Sequence, residues 1–220
     1  MSSKNKILLV DDHPLVREWL GNLINDELQF EICGETGNAR EALQLIGTLK
    51  PDIVMVDLSL EGGSGIELIK DISAVHPAVA TIVLSMHDEA LYAERAMRAG
   101  ARGYIMKREA TNKVPEAIRA VLAGELYFSQ AVNAQLAQKL ARSTVALPET
   151  PEAGLSDREL EVFELLGRGQ TTRQISGQLN LSFKTVQVYC GRIKEKLNLA
   201  NVNELIARAV RWHESQDAGK

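Results

Sequence analysis

Five polar residues in the first half of the chain each follow a short apolar run: Asp11, Asp12, Asp57, Ser85 and Lys107. The runs are rich in β-branched residues and cover residues 6–10, 52–56, 81–84 and 103–106. Short apolar runs separated by segments of helical period are typical of buried parallel strands. In a doubly wound sheet the carboxyl ends of the strands meet at one crevice, so we expect these side chains to lie together.

The composition of this group indicates its chemistry. Neighbouring carboxylates raise one another's pKa unless a cation lies among them, and an all-oxygen cluster suits Mg²⁺. Asp57 ends its own strand and is the expected nucleophile toward a phosphoryl group, giving an acyl phosphate. Lys107 and Ser85 would then hold the phosphoryl oxygens as a point charge and a hydrogen-bond donor. The product would add roughly −1.5 to −2 charge at one place, enough to rearrange nearby loops.

Each position alone has an ordinary explanation. A single Asp at a strand end is commonly a helix N-cap, and a single Lys after a strand is commonly a solvated charge. The occurrence of all these residues in order, each at the end of a strand, favours a site over those explanations.

Residues 1–127 resemble the receiver domain of bacterial two-component response regulators, and residues 6–17 (KILLVDDHPLVR) resemble the opening of the NarL/FixJ branch. The resemblance implies a flavodoxin-like α/β fold with a doubly wound, parallel, five-stranded sheet. It implies that Asp57 is the phospho-acceptor and that a cognate histidine kinase is the donor. Tyr104 matches an aromatic residue that changes rotamer on activation, although an ordinary strand tyrosine explains it equally well.

The same resemblance assigns the Mg²⁺ ligands. The side chains of Asp12 and Asp57 and the backbone carbonyl of Ser59 would hold the ion, with Asp11 assisting. The chain departs from the family pattern after Leu60, where 61–63 (EGG) replaces the usual Pro, and at Arg108, where many receivers have Pro. Neither departure removes a reacting group.

Residues 128–150 are expected to form a linker. Its first part carries a helical pattern from Ser129 to Ser143, and its second part is a polar stretch that contains Pro148 and ends just before Pro151. We place the start of a second domain, 151–220, just after it.

The second domain contains signals for four helices. Ser156 with Glu159, and Thr171 with Gln174, have the spacing of capping boxes, and Ser182 is placed to cap a third, longer helix. Two short helices joined by a tight turn, the second of them basic, match a helix-turn-helix.

The third helix has a buried side and a groove-facing side. Its apolar stripe comprises Val186, Cys190, Ile193 and Leu197. Donors for phosphates and groups for base edges are what a DNA-facing surface needs. The candidate DNA-binding residues are Lys184, Thr185, Gln187, Val188, Gly191, Arg192 and Lys194. The alternative at this point is a solvated amphipathic helix in an ordinary bundle.

Leu155 to Leu199 resembles the LuxR-type DNA-binding domain, which the motifs at 155–159 (LSDRE) and 184–186 (KTV) carry. The resemblance implies binding of a double-stranded promoter site by a homodimer, with Val202, Leu205 and Ala209 of the fourth helix as candidate dimer contacts. Plain packing onto the domain core explains those apolar residues at least as well. Gln187, Tyr189 and Gly191 depart from the family's usual residues, so base preference does not transfer.

Composition supports a soluble chain of two domains. Neither a membrane span nor a signal peptide is present among the 220 residues, and two distant cysteines indicate no disulfide framework, so we expect a cytoplasmic protein without a membrane partner. Residues 1–127 hold 13 Lys and Arg against 19 Asp and Glu, a net −6, whereas 151–214 hold 9 against 8, a net +1. DNA contact must therefore come from a local basic patch of the second domain.

We therefore expect a DNA-binding transcriptional regulator that phosphorylation of Asp57 controls, and not an enzyme beyond its own phosphorylation and slow dephosphorylation. One alternative is a regulator that binds DNA without phosphate and uses its receiver as a protein-interaction module. Another is a phosphatase-like hydrolase, but no second carboxylate follows Asp57 closely enough to serve as its acid or base.

Overall fold

The computed structural model describes residues 4–60, 63–142 and 151–217. The chain forms two compact units, Met1–Thr144 and Val145–Lys220. The predicted end of the linker near residue 150 lies outside the described residues, as do Glu61 and Gly62. None of the helices described is long and apolar enough to cross a membrane.

The first unit alternates strands and helices. Its main strands are β1 (Asn5–Val10), β2 (Phe30–Thr36), β3 (Ile53–Val56), β6 (Ala80–Ser85) and β7 (Gly103–Met106), with a short hairpin, β4 (Ser59–Leu60) and β5 (Gly63–Ser64), after β3. Its helices are α1 (Pro14–Asn25), α2 (Ala39–Leu49), α3 (Gly65–Val75), α4 (Glu89–Ala99), α5 (Ala110–Leu122) and α6 (Gln130–Arg142). The main strands form one parallel sheet in the order β2-β1-β3-β6-β7, which confirms the predicted flavodoxin-like fold.

The apolar runs form the sheet because helices cover both of its faces. Ile7, Val54 and Val83 of the central strands are completely buried. One side of the sheet packs on α1 and α5 through a cluster that includes Leu20, Ile24, Val114 and Ile118. Burial of both faces explains why these strands read as continuous apolar runs rather than as alternating ones.

The turn from β3 into α3 requires glycine at position 65. A Cβ on Gly65 would lie 2.1 Å from the carbonyl oxygen of Asp57, far inside any real contact. The amide of Gly65 donates to the carbonyl oxygen of Leu58 at 2.9 Å. Helix α3 therefore starts directly against the strand end that carries Asp57, and this contact fixes the Asp57 backbone.

The chain covers the outer edge of β7 with its own next segment. The amide of Tyr104 donates to the carbonyl of Tyr127 at 2.9 Å, and the amide of Tyr127 donates to the carbonyl of Arg102 at 2.9 Å. Helix α6 follows and packs against α4, with Val132 buried. This helix is the helical first part that the linker sequence predicted.

The second unit holds a 3₁₀ turn (Pro151–Gly154) and the four predicted helices, α7 (Asp157–Gly167), α8 (Thr172–Gln178), α9 (Phe183–Lys196) and α10 (Val202–Asp217). Both predicted capping boxes form, at Ser156 and at Thr171, and the Ser182 hydroxyl caps α9 by accepting from the Thr185 amide. Asn180 takes a left-handed backbone, φ 52°, in the turn between α8 and α9. The fold of this unit is the predicted helix-turn-helix.

Candidate functional site

The carboxyl ends of β1, β3 and β7 bring three charged residues together. Lys107 Nζ donates to Asp57 Oδ2 at 2.6 Å and lies 2.7 Å from Asp11 Oδ2. Asp11 and Asp57 are almost completely buried, at 3 % and 4 % exposure. One ammonium thus neutralises two buried carboxylates, and it reaches them from the end of β7 as the strand order requires.

Asp57 keeps one carboxylate oxygen for another partner. Its Oδ1 is buried and has no hydrogen-bond partner among the described residues. Asp12 Oδ1 lies 2.6 Å from the Nδ1 of His13, in an ion-pair distance without hydrogen-bond geometry. Ligand atoms of Asp11, Asp12, His13 and Asp57 all lie within 4.8 Å of one another. A buried oxygen without a partner, in a cluster rich in carboxylates, fits a hard divalent cation such as Mg²⁺.

The electrostatics of the pair follow from its burial. Burial, together with the Asp11 carboxylate, raises the pKa of Asp57 above its ordinary value, even though Lys107 acts in the opposite direction. Burial alone would lower the pKa of Lys107, but the carboxylates of Asp57 and Asp11 outweigh it and raise that pKa. The ammonium therefore stays protonated, and the ionised Asp57 carboxylate is held at a cost in folding free energy.

The side chains of Ser85 and Tyr104 both bond the backbone of His87, in the loop after β6. Ser85 is fully buried at the end of β6, and its Oγ accepts a hydrogen bond from the His87 amide at 3.2 Å. Tyr104 is 2 % exposed, and its hydroxyl donates to the His87 carbonyl at 2.8 Å. His87 Nε2 lies 3.0 Å from Ser59 Oγ, a contact in which either atom is the donor. The two predicted switch residues therefore hold the same short segment.

Sequence analysis missed three residues that the structure places at this site: His13, Arg17 and His87. His87 follows the end of β6 by two positions, and a polar residue so close to a strand end was the available signal. His13 lies within the motif at 6–17 and carries no separate signal of its own. Arg17 lies in the second turn of α1 and carries no local signal, because its partner is the backbone of Asp11.

The predicted DNA-facing side of α9 is open to solvent. Lys184, Gln187, Val188 and Arg192 are exposed. The apolar stripe is buried as predicted at Val186, Cys190 and Ile193, whereas Leu197 at its end is only half-buried. One shallow groove is lined by Ser182, Lys184, Thr185, Val188, Tyr189 and Arg192. Four of the seven candidate DNA-binding residues thus line one surface depression, and Gln187, Gly191 and Lys194 are the other three.

Gly191 leaves a gap in this surface. A Cβ on Gly191 would meet no atom within 4 Å, and its backbone is helical. Glycine is therefore not required at this position for packing or for a turn.

The predicted dimer contacts on α10 need a correction. Leu205 and Ala209 are completely buried, and α10 packs against α7, so both side chains belong to the core of the second unit and offer no surface to a second copy. Assigning them to a dimer contact was wrong. Val202 is 46 % exposed, and Ile206, which the sequence analysis did not select, is 40 % exposed one turn further on.

Two family models match the chain. The response regulator receiver domain matches residues 7–119, and the model of bacterial regulatory proteins, luxR family, matches residues 153–209. The receiver match covers the acidic site, and the luxR match covers α7, α8, α9 and the first half of α10.

Known proteins resemble the chain along nearly its whole length. The response regulator UvrY of Escherichia coli (strain K12) is 36% identical over 205 residues, 93% of each chain. The response regulator GacA of Pseudomonas aeruginosa is 34% identical over 206 residues, 94% of this chain and 95% of that one. A solved structure of the RcsB response regulator of Salmonella typhimurium shares the fold, with a TM-score of 0.65, 24% identity, and coverage of 95% of this chain and 98% of that one.

The receiver match contains the buried Asp57–Lys107 pair, and the luxR match contains the exposed basic side of α9. With relatives above 30% identity over both units, these matches decide the family. The chain belongs to the NarL/FixJ-type response regulators of two-component systems, which are transcriptional regulators with a LuxR-type DNA-binding domain.

Proposed function

We propose that phosphorylation of Asp57 by a cognate histidine kinase in the cytoplasm controls DNA binding by the second unit. The observation that supports this most directly is the buried Asp57 carboxylate, with Oδ2 on Lys107 and Oδ1 without a partner among the described residues. Lys107 thus holds one oxygen and the other is open to a cation, so the carboxylate is already oriented before a phosphoryl group arrives.

The transfer step uses this asymmetry. An Asp57 oxygen attacks phosphorus and forms a P–O bond, while the P–N bond to the donor imidazole breaks and the imidazole keeps the electron pair. Lys107 is placed to exchange its contact with Asp57 for one with a phosphoryl oxygen, and Ser85 is placed to donate to another. The two residues after Asp57 are Leu58 and Ser59, and neither is a carboxylate that could activate water, so we expect slow hydrolysis of the product and no turnover of external phosphate esters.

Mg²⁺ fits the residues present. The side chains of Asp12 and Asp57, with the Ser59 carbonyl, would hold it, and Asp11, which belongs to the same cluster, would assist. When bound, the ion neutralises the negative charge of the transferring group. The chain's own part is to hold the carboxylates close together before the ion arrives.

The switch follows from competition for Ser85. In the structure the Ser85 oxygen accepts from the His87 amide, and Tyr104 donates to the His87 carbonyl. A phosphoryl group that draws Ser85 toward itself weakens the first of these bonds. The segment at His87 leads directly into α4 through the Asp88 cap, so its movement reaches the α4 surface on which α6 packs.

DNA recognition is assigned to α9 and dimerisation to α10. Lys184, Arg192 and Lys194 suit phosphates, Gln187 and Val188 suit base edges, and Thr185 and Gly191 complete the surface. Val202 and Ile206 form an exposed apolar pair one turn apart, which suits a contact between two copies on a two-fold symmetric site.

The test is phosphorylation followed by DNA binding. Wild type incubated with Mg²⁺ and acetyl phosphate is expected to gain the mass of one phosphoryl group, and Asp57→Asn is expected to gain none. Beryllofluoride-treated wild type is then expected to dimerise and to bind a site selected from random DNA more tightly than untreated protein.

The opposite result would favour a different regulator. Equal DNA affinity for untreated wild type, treated wild type and Asp57→Asn would contradict control by phosphate. The receiver would then be a protein-interaction module attached to a constitutive DNA-binding domain.

A further inference from the structure

Arg17 reaches from α1 back to the loop that carries the acidic pair. Its Nη1 donates to the carbonyl oxygen of Asp11 at 2.6 Å. The side chain is 21% exposed, and its Nε lies 3.6 Å from Glu35 Oε2, beyond hydrogen-bond distance. The strong contact of this guanidinium is therefore with the backbone of the site.

The bond from Arg17 completes the fixation of Asp11. The Asp11 amide donates to the carbonyl of Thr36 at 3.0 Å, its Oδ1 accepts from the His13 amide at 2.9 Å, and its Oδ2 lies 2.7 Å from Lys107 Nζ. Arg17 holds the remaining polar group, the carbonyl. That carbonyl shares one rigid peptide plane with the amide of Asp12, so its direction sets where the Asp12 side chain begins.

The turn after β2, at Gly37, packs closely against the peptide between Asp11 and Asp12. A Cβ on Gly37 would lie 3.2 Å from Asp12 Cα, 3.4 Å from the Asp11 carbonyl oxygen and 3.7 Å from Arg17 Nη1. The turn after β2 therefore packs against the Asp11–Asp12 peptide, and the Arg17 guanidinium lies beside it. Little space remains for this peptide to rotate while both contacts persist.

We propose that Arg17 is a positioning residue for the cation site: by holding the Asp11 carbonyl, it aims the Asp12 carboxylate toward Asp57. This rests on the proposed function, because the cation is the Mg²⁺ of the phosphoryl-transfer site. Groups that orient metal ligands without touching the metal are a regular part of metal sites.

The direction in which loss of Arg17 changes Mg²⁺ affinity distinguishes a positioning role from a purely electrostatic one. A guanidinium beside a cation site repels the incoming ion, so loss of the charge alone would strengthen Mg²⁺ binding. Loss of the positioning bond frees the peptide and weakens Mg²⁺ binding. The two roles therefore predict changes of opposite direction.

The experiment is calorimetric titration of the full chain with Mg²⁺. We compare wild type, Arg17→Met, which keeps the apolar stem, Arg17→Lys, which keeps a charged donor, and Glu35→Gln. The matched control is Arg119→Met, which removes a cation that lies 3.3 Å from Glu27 on the surface. Arg17→Met is expected to weaken Mg²⁺ affinity by about tenfold or more. We expect Arg17→Lys to lose less, and Glu35→Gln and the control to match wild type.

Unfolding measured in EDTA accompanies each titration, so that loss of fold is distinguished from loss of binding. Unchanged or tighter Mg²⁺ binding by folded Arg17→Met overturns the proposal. If Arg17→Met does not fold, Arg17→Leu decides by the same measure, because unchanged or tighter Mg²⁺ binding in that variant overturns the proposal as well. Wild type that binds no Mg²⁺ overturns the proposed metal chemistry first and the role of Arg17 with it.

Discussion

The acidic site of the first unit and the DNA-facing side of α9 hold their functional groups under opposite constraints. Asp11 and Asp57 are buried beside Lys107, so loss of that one ammonium leaves two carboxylates without compensation. Lys184, Val188 and Arg192 are exposed, and each side chain can change without disturbing its neighbours. The groups of the buried site therefore depend on one another, whereas residues of the exposed DNA-facing surface can be substituted one at a time. Gly191, which departs from the residues usual in the family, is an example of such a substitution.

The largest effect expected from this difference is that of Lys107→Met. The substitution leaves two buried carboxylates close together without their cation, and breaking a buried ion pair in this way costs about 3–5 kcal/mol. Denaturant unfolding of the full chain in EDTA measures the loss. The control is Lys113→Met, whose partner Glu109 is on the surface at 2.7 Å, and its expected cost is about 0–1 kcal/mol. Similar losses in the two variants would remove the distinction between buried and exposed groups.

Asp57→Asn is expected to have a smaller effect of the opposite sign. Because the folded pKa of Asp57 is raised, its contribution to stability is present below its unfolded pKa, near 3.8, and is lost as pH rises through the folded pKa. At neutral pH the neutral Asn avoids that cost, so we expect Asp57→Asn to be more stable than wild type in EDTA.

Unfolding midpoints at neutral and acid pH measure this gain, which should shrink as pH falls and wild-type Asp57 becomes protonated. Asp71→Asn, at an exposed position of α3, is the control and should leave stability unchanged. A loss of stability in Asp57→Asn at neutral pH would contradict the raised pKa.

Gly191→Lys tests the exposed side of the comparison. No atom lies within 4 Å of the added Cβ, so the fold should accept the side chain, and the helix gains up to about 1 kcal/mol over glycine. A new phosphate contact should raise DNA affinity and steepen its dependence on log salt by about 0.9. Gly191→Ala separates the two effects, because it stabilises the helix without adding charge. Equal salt slopes for both variants would place Gly191 outside the DNA interface.

The smallest effect concerns Glu159, which pairs with Lys196 at 2.6 Å in the second unit. Burial alone would raise its pKa, but hydrogen bonds from Lys196 and Ser156 outweigh burial and lower it. A lowered pKa contributes stability above the unfolded value, near 4.5, which is lost as pH falls through the folded pKa.

Glu159→Gln keeps the capping box but removes the charge, so stability of the second unit should fall less steeply on acidification than in wild type. Trp212, which packs on Phe163, reports this unit in a Trp19→Phe background. An unchanged pH profile would show that the Lys196 pair adds nothing.

The sequence was sufficient to predict the fold and the charged groups of the acidic site. Both follow from the hydrophobic periodicity and from the order of the strands along the chain. Strand ends of a doubly wound sheet must meet, so Asp11, Asp57 and Lys107 could be placed together before the structure was known. The capping boxes at Ser156 and Thr171 marked helix starts with a local hydrogen-bonding pattern, and both formed.

The sequence alone could not show which helix packs on which apolar face. Val202, Leu205 and Ala209 share one face of α10 by helical spacing, and that spacing predicts burial without naming what buries it. The structure shows that α7 packs on this helix, while the start of the face at Val202 stays exposed. Arg17 donates to the backbone carbonyl of Asp11, and the backbone carbonyl of His87 accepts from the Tyr104 hydroxyl. Bonds to backbone groups leave no residue pattern in the sequence.

The hydrogen bonds between Tyr127 and the outer edge of β7 make the Tyr104 amide a reporter of whether the start of the linker is attached to the sheet. The Tyr104 N–H donates to the Tyr127 carbonyl and not to another strand of the sheet, so its exchange with deuterium is slow only while that segment stays in place. The same residue carries the hydroxyl that holds His87. Tyr104 therefore contacts the site through its hydroxyl and the segment at Tyr127 through its amide. Faster hydrogen exchange at the Tyr104 amide would report that this segment, which leads to the second unit, has detached from β7.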